Sequence, residues 1–217
     1  MLPIAAILVL LAAYLLGSLP TGYLAGRMLR GIDLRQHGSG STGATNVLRM
    51  LGKGPALLVL LVDLSKGGAA IGLALWLVAL APALDPAAAG WPAGFGPWLV
   101  CLAGLAALVG HARPVWLGFR GGKSAATGFG VLLALSWPVG LGAALVWGLV
   151  LALGRIVSLA SMLAALAAMV LALLLDLPLA YRLLVLGGGL YVIWRHRANI
   201  ARLRSGTEPR LGPAART

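Results

Sequence analysis

Acidic residues are scarce. The 217-residue chain has five Asp and Glu against seventeen Lys and Arg, a formal net charge of +12. So few carboxylates leave little material for a catalytic metal centre, and neither a metal nor another cofactor is expected. Cysteine is nearly missing too: Cys101 stands alone, which excludes an intrachain disulfide. Charged residues of both signs make up only 10% of the chain. Polar stretches long enough for a separate soluble domain are lacking. Hydrophobic residues instead reach 60%, with a mean hydropathy of +0.97. That composition indicates an all-α integral membrane protein. The expectation is one domain over 1–217 with a basic tail at 195–217. An excess of basic charge can signal nucleic-acid binding. Here the charges sit in short loops and the tail, where they report topology and anionic partners, so no nucleic acid is expected. Residues 1–16 could mimic a signal peptide, but they lack a basic leading segment. Arg27 and Arg30 follow the apolar run, so a retained first helix is expected.

Apolar runs predict helices at about 3–26, 55–80, 97–111, 125–136, 138–154, 157–175 and 178–194. Pro138, after Trp137, breaks helix propagation, so 125–154 is either one bent segment or two that meet there. Charge chooses between them. Basic residues crowd the 27–54 and 112–124 loops, the 154–156 turn and the tail, whereas 81–96 and 136–138 have no Lys or Arg. Positive loops favour the cytoplasm. Seven spans, with the N-terminus outside and the C-terminus cytoplasmic, put every one of those basic segments on one side. A single span over 125–154 would move Arg155 and the tail to the side opposite the 27–54 and 112–124 loops. Tryptophans such as Trp91, Trp98, Trp116 and Trp194 suit interface anchors.

Three polar clusters then fall on the cytoplasmic face. The first is Gly38-Ser39-Gly40-Ser41-Thr42-Gly43-Ala44-Thr45-Asn46-Val47-Leu48-Arg49. Its glycines allow backbone N–H groups to converge, and its hydroxyls, Asn46 and Arg49 suit a phosphate or carboxylate. Gly and Ser alone would favour a linker, but a linker needs neither Asn46 nor Arg49. The second runs from Gly110-His111 to Gly121-Gly122-Lys123-Ser124-Ala125-Ala126-Thr127. It resembles the end of a phosphate-binding Walker loop. That match fails because Leu117 stands where the pattern needs Gly. A glycine turn entering a helix with Lys123 at its start remains either an anion site or a topological anchor. The third is Arg195-His196-Arg197-Ala198-Asn199-Ile200 and then Gly206-Thr207-Glu208. His196 and Asn199 share a helix face and can reach one ligand together. Arg202 and Arg204 are expected only to bind anionic lipid headgroups. Asp63 and Lys66 lie inside the second span, three residues apart, as a structural pair or a ligand contact. Gly17, Ser18 and Pro20 suggest close packing or a bend in the first helix. Arg155 and Ser158 begin a later helix at the same face.

In this order, the first run, Gly110-His111 with Phe119-x-Gly121-Gly122-Lys123, and His196-Arg197-x-Asn199-Ile200-x-Arg202-Leu203 resemble the three motifs of a known family. That family is the bacterial membrane glycerol-3-phosphate acyltransferases that use acyl phosphate as donor. Gly17-Ser18-Leu19-Pro20-Thr21-Gly22-Tyr23 and Asp63-x-x-Lys66-Gly67 are similar to further hallmarks, and the likeness spans about residues 14–208. Two departures stand out. Ser41-Thr42 replaces the usual Asn and, often, Pro; Ser124 replaces the usual Gly, which tolerates positive φ better.

The resemblance implies transfer of a fatty acyl group from acyl phosphate to the 1-hydroxyl of sn-glycerol 3-phosphate. The products would be 1-acylglycerol 3-phosphate (lysophosphatidate) and phosphate, in the first acylation step of bacterial phospholipid synthesis. It implies catalytic roles for Ser39, Arg49, Lys123, His196 and Asn199. It implies substrate contacts for Gly40, Gly43, Thr45, Asn46, Lys66, His111, Gly121, Gly122, Thr127, Ser158 and Glu208. His196 or a substrate phosphate takes the proton. Membrane lipids and a soluble enzyme that makes acyl phosphate are implied partners. The site would face the cytoplasm from a bacterial inner membrane. An anion transporter is the rival class; against it, the polar clusters gather on one side and no inverted repeat is evident.

Overall fold

The computed structural model describes residues 2–84 and 94–212; Trp91, Arg216 and most of the 81–96 connection lie outside the described residues. The described residues form ten α-helices and no strand: α1 (Leu2–Ser18), α2 (Thr21–Arg30), α3 (Ala44–Leu51), α4 (Lys53–Leu84), α5 (Phe95–Ala112), α6 (Ala125–Leu135), α7 (Trp137–Gly154), α8 (Val157–Leu174), α9 (Leu179–Arg195) and α10 (Arg197–Arg204). Five segments are long and apolar enough to cross a membrane: 2–30, 53–83, 95–117, 137–154 and 157–174. The other two expected spans are shorter. The 17 residues of α9 and the 11 of α6 fall below that length, and α6 rises only about 16 Å against a hydrocarbon core of about 30 Å.

Two prolines set two of the breaks. Pro20 has no N–H to continue α1, and the chain restarts as α2 at Thr21. The break frees the Leu19 carbonyl, which accepts from Lys66 Nζ at 2.8 Å. Ser136 is extended, and Pro138 sits in the first turn of α7, where a missing N–H costs nothing. Residues 125–154 are therefore two helices.

The 38–49 run is not wholly a loop. Residues 44–51 form α3, whose Val47 packs with Leu34, Ala56 and Val59 in a small core of its own. The main cores lie between α1, α4, α5 and α9 and between α7, α8 and α9. Small side chains fill these interiors: Ala70, Ala103, Ala107 and Ala172 are fully buried, whereas Leu145 and Leu153 are 74% and 80% exposed. This inside-out distribution fits a bundle whose outer face meets lipid, since close backbone approach rather than large side chains holds such helices together. At the α1–α5 crossing a Cβ on Gly17 would strike the Ala107 carbonyl, and one on Gly110 would strike that of Tyr14.

Candidate active site at the polar end of the bundle

Asn46 organises the first cluster. Its amide donates to the carbonyls of Leu34, His37 and Ser41 at 3.2, 3.0 and 2.9 Å. Its Oδ1 accepts from the Ser39 N–H at 3.0 Å. Four bonds from one buried side chain fold residues 34–41 around the start of α3, so Asn46 shapes the loop. Arg35 joins this loop to the next: it pairs with Asp33 at 2.7 Å and donates to the Leu117 carbonyl at 3.0 Å.

The glycine turn before α6 is held from both sides. The N–H groups of Gly121 and Gly122 donate to the carbonyls of Ala112 and His111, each at 3.1 Å. Arg195 donates to the Gly122 carbonyl at 2.6 Å. These two amides therefore hold the turn against the end of α5. Gly122 matters through its missing side chain, because a Cβ there would strike His111 Nε2. Ser124 follows with φ 60°, a left-handed conformation that costs a non-glycine residue energy. Its hydroxyl donates to the Leu108 carbonyl at 2.7 Å, an anchor that glycine lacks.

Past the turn, Lys123 Nζ donates to Asn199 Oδ1 at 2.6 Å. Asn199 Nδ2 donates to Glu208 Oε1 at 2.6 Å, which also accepts from the Ser158 hydroxyl at 2.8 Å. Glu208 Oε2 accepts from Arg202 Nε at 2.7 Å. Arg202, expected only to meet lipid headgroups, is thus built into the polar network. Its carbonyl also accepts the N–H groups of Thr207 and Glu208, curling the tail back over α8. Burial, opposed by Glu208 and reinforced by Arg202, Arg49 and Arg195, pushes the Lys123 ammonium down to about 8. Burial alone would raise the Glu208 carboxyl, but hydrogen bonds from Asn199, Ser158 and Arg202 hold it below its usual range.

His196, buried between α9 and α10, donates Nδ1–H to the Val192 carbonyl at 2.7 Å. That bond selects the tautomer with a free lone pair on Nε2. Burial pushes the imidazole down to about 4, so it is neutral near pH 7. Arg49 makes no hydrogen bond or ion pair among the described residues, and its side chain lines the cavity described next.

Inside the bundle, Lys66 and Asp63 pair at 2.8 Å. Asp63 Oδ1 also accepts from the Thr21 hydroxyl at 2.5 Å and lies 3.7 Å from His111 Nδ1. Lys66 thereby ties α4 to the α1–α2 break, and Asp63 reaches toward the second cluster.

These elements enclose a cavity of about 280 Å³. Ser39, Gly43, Thr45, Asn46 and Arg49 line it from the first cluster, His111 and Lys123 from the second, and His196, Asn199 and Glu208 from the third, with Ser158 beside them. Gly40, Lys66, Gly121, Gly122 and Thr127 are not among its lining residues. Sequence reasoning left out Asp63 as a lining residue, although its position inside a span marked it. Residues from the first turns of α3, α6, α8 and α10 all line this cavity (Thr45, Ala126, Ser158, Asn199). Arg49, Lys123 and the first turns of α3, α6 and α8 favour a bound anion, while Asp63 and Glu208 bring carboxylates to the same lining. From the polar end an apolar arm continues between α6, α7, α8 and α9, past Phe129, Trp147, Ala164 and Val185.

The family model described as glycerol-3-phosphate acyltransferase matches residues 7–206. A protein named glycerol-3-phosphate acyltransferase 2 from Rhizobium johnstonii is 63% identical over 207 residues, which cover 94% of each chain. One named glycerol-3-phosphate acyltransferase from Synechococcus sp. (strain JA-3-3Ab) is 56% identical over 209 residues, covering 96% of this chain and 95% of its own. The crystal structure of PlsY (YgiH), an integral membrane glycerol 3-phosphate acyltransferase, in its glycerol 3-phosphate form, superposes with a TM-score of 0.82 at 39% identity. It covers 95% of this chain and 96% of its own. The lysophosphatidic acid form of the same enzyme gives 0.79 at 38% identity, covering 95% of each chain.

Proposed function

This chain belongs to the glycerol-3-phosphate acyltransferase family, and from that premise we propose that it transfers a fatty acyl group from acyl phosphate to the 1-hydroxyl of sn-glycerol 3-phosphate. The products are 1-acylglycerol 3-phosphate and inorganic phosphate. One observation carries the reading: a single cavity joins a cation-bearing polar end to an apolar arm. Two phosphorylated head groups suit the first, and an acyl chain suits the second.

The glycerol oxygen attacks the carbonyl carbon, the new C–O ester bond forms, and the C–O bond to phosphate breaks with its electrons leaving on phosphate. Acyl phosphate is already activated, so positioning and charge stabilisation supply most of the catalysis. Arg49, with Ser39, His196 and Asn199, holds glycerol 3-phosphate. Lys123, with Thr45 and the first turn of α6, receives the charge that develops on the departing phosphate. These two assignments are interchangeable on charge alone. The hydroxyl proton passes to His196 Nε2 or to a phosphate oxygen of a substrate. Asn199 and Glu208 position Lys123, and Asn46 positions Ser39. The chain crosses the bacterial inner membrane seven times, with α6 and α9 completing the count, its N-terminus outside and its site toward the cytoplasm.

Phosphate release tests the reaction. Purified protein is expected to free phosphate from acyl phosphate only when glycerol 3-phosphate is present. Release at the same rate without it would contradict acyl transfer.

A further inference from the structure

The lining of the apolar arm stops partway along α7, α8 and α9. On α8 its lining runs from Ser158 through Ser161 and Ala164 to Ala168. That stretch is about 15 Å by helical rise, half of a hydrocarbon core of about 30 Å. On α7 the lining ends at Ala143, and on α9 it ends at Leu184. One turn further along α7 and α8 stand Val139 and Ala172, both fully buried. They pack in one cluster with Ala143, Ala168 and Val185, with Leu132 and Leu171 against it. Nothing along these two helices continues the space past that layer. Midway down, Trp147 Nε1 donates to the Ser161 hydroxyl at 3.3 Å, which pins the indole on α7 to α8 as a fixed wall.

From this geometry we infer that Ala143, Ala168 and Leu184 set the length of acyl chain the protein accepts. The inference rests on the acyl-transfer reading above. Space in the arm exists because two of the three end residues carry only a methyl group. Added carbon there would occupy the volume of the chain's terminal methylenes, since well-packed interiors yield little to overpacking. Removing carbon from Leu184 would deepen the arm. Ala168 stands about 15 Å of helical rise from Ser158 at the polar end, which separates a change there from Arg49, Lys123 and His196.

The test is a chain-length profile with decanoyl, myristoyl, palmitoyl and stearoyl phosphates, measured as kcat/KM. Ala168→Leu is expected to lower transfer of the longest chain that the unaltered protein uses well, relative to decanoyl, by about tenfold or more, with KM for glycerol 3-phosphate held. Leu184→Ala is expected to move the optimum toward longer chains. A profile in either folded variant that superimposes on the unaltered protein's overturns the inference. Should Ala168→Leu not fold, the Leu184→Ala profile decides alone. If the unaltered protein transfers no chain of any length, the acyl-transfer reading fails first and takes this one with it.

Discussion

Arg49 lines the cavity without a hydrogen bond or ion pair to any described residue, whereas Lys123 is already bonded to Asn199. Arg49→Ala is therefore expected to lower kcat/KM by about 100-fold or more, the scale of losing one preorganised charge donor. The thermal unfolding temperature in detergent should hold, and near-normal turnover would refute the anion-site role. Lys123 gives a pH signature. Its ammonium, pushed down to about 8 by burial, is charged below that pH and neutral above it, so kcat/KM should fall as pH rises through about 8. Lys123→Arg, which stays charged, should keep activity at higher pH; an unchanged alkaline limb would rule Lys123 out as its source. Sequence pattern named Ser39, Thr45, Arg49, Lys123, His196 and Asn199, and each lines the cavity. It could not show that Asn46 spends its amide on three loop carbonyls, nor that Arg202 turns inward to Glu208. Those partners are set by how the chain folds back, which residue type and spacing do not encode.

Among elements, the start of α3 was the hardest to read. Eight residues opened by Gly43 and a run of Ser and Thr look like loop, and packing of Val47 with Ala56 and Val59 of α4 supports them as a helix. The long apolar helices were easier: 97–111, 138–154, 157–175 and 178–194 were expected, and 95–112, 137–154, 157–174 and 179–195 formed. The Pro20 break was legible as a bend, but its use was not. It leaves the Leu19 carbonyl for Lys66, which also pairs with Asp63. Lys66→Met alone is expected to cost about 3–5 kcal/mol, because it strands a buried carboxylate. Asp63→Leu with Lys66→Met should recover most of that loss in a denaturation series. Equal destabilisation in the single and double variants would mean that the pair itself is not what holds α4 to the break.

At the scale of the whole molecule, composition made the membrane class plain: many alanines pack inside, while most of the large exposed apolar side chains are leucines. The number of crossings was less accessible, because α6 and α9 are shorter than a full span. Seven crossings put both the 27–54 loop and the tail in the cytoplasm, so a reporter that works only there should be active when fused after residue 217 and inactive when fused before residue 1. Activity at both ends would remove one span. The joined polar and apolar halves of the cavity bear on the central claim, acyl transfer from acyl phosphate. The direct measurement supplies purified protein with labelled glycerol 3-phosphate and, in parallel, palmitoyl phosphate, palmitoyl-CoA or palmitoyl acyl carrier protein. Label is expected in extractable lysophosphatidate with palmitoyl phosphate alone; label from either thioester but not from the acyl phosphate, or no labelled lipid at all, would contradict it.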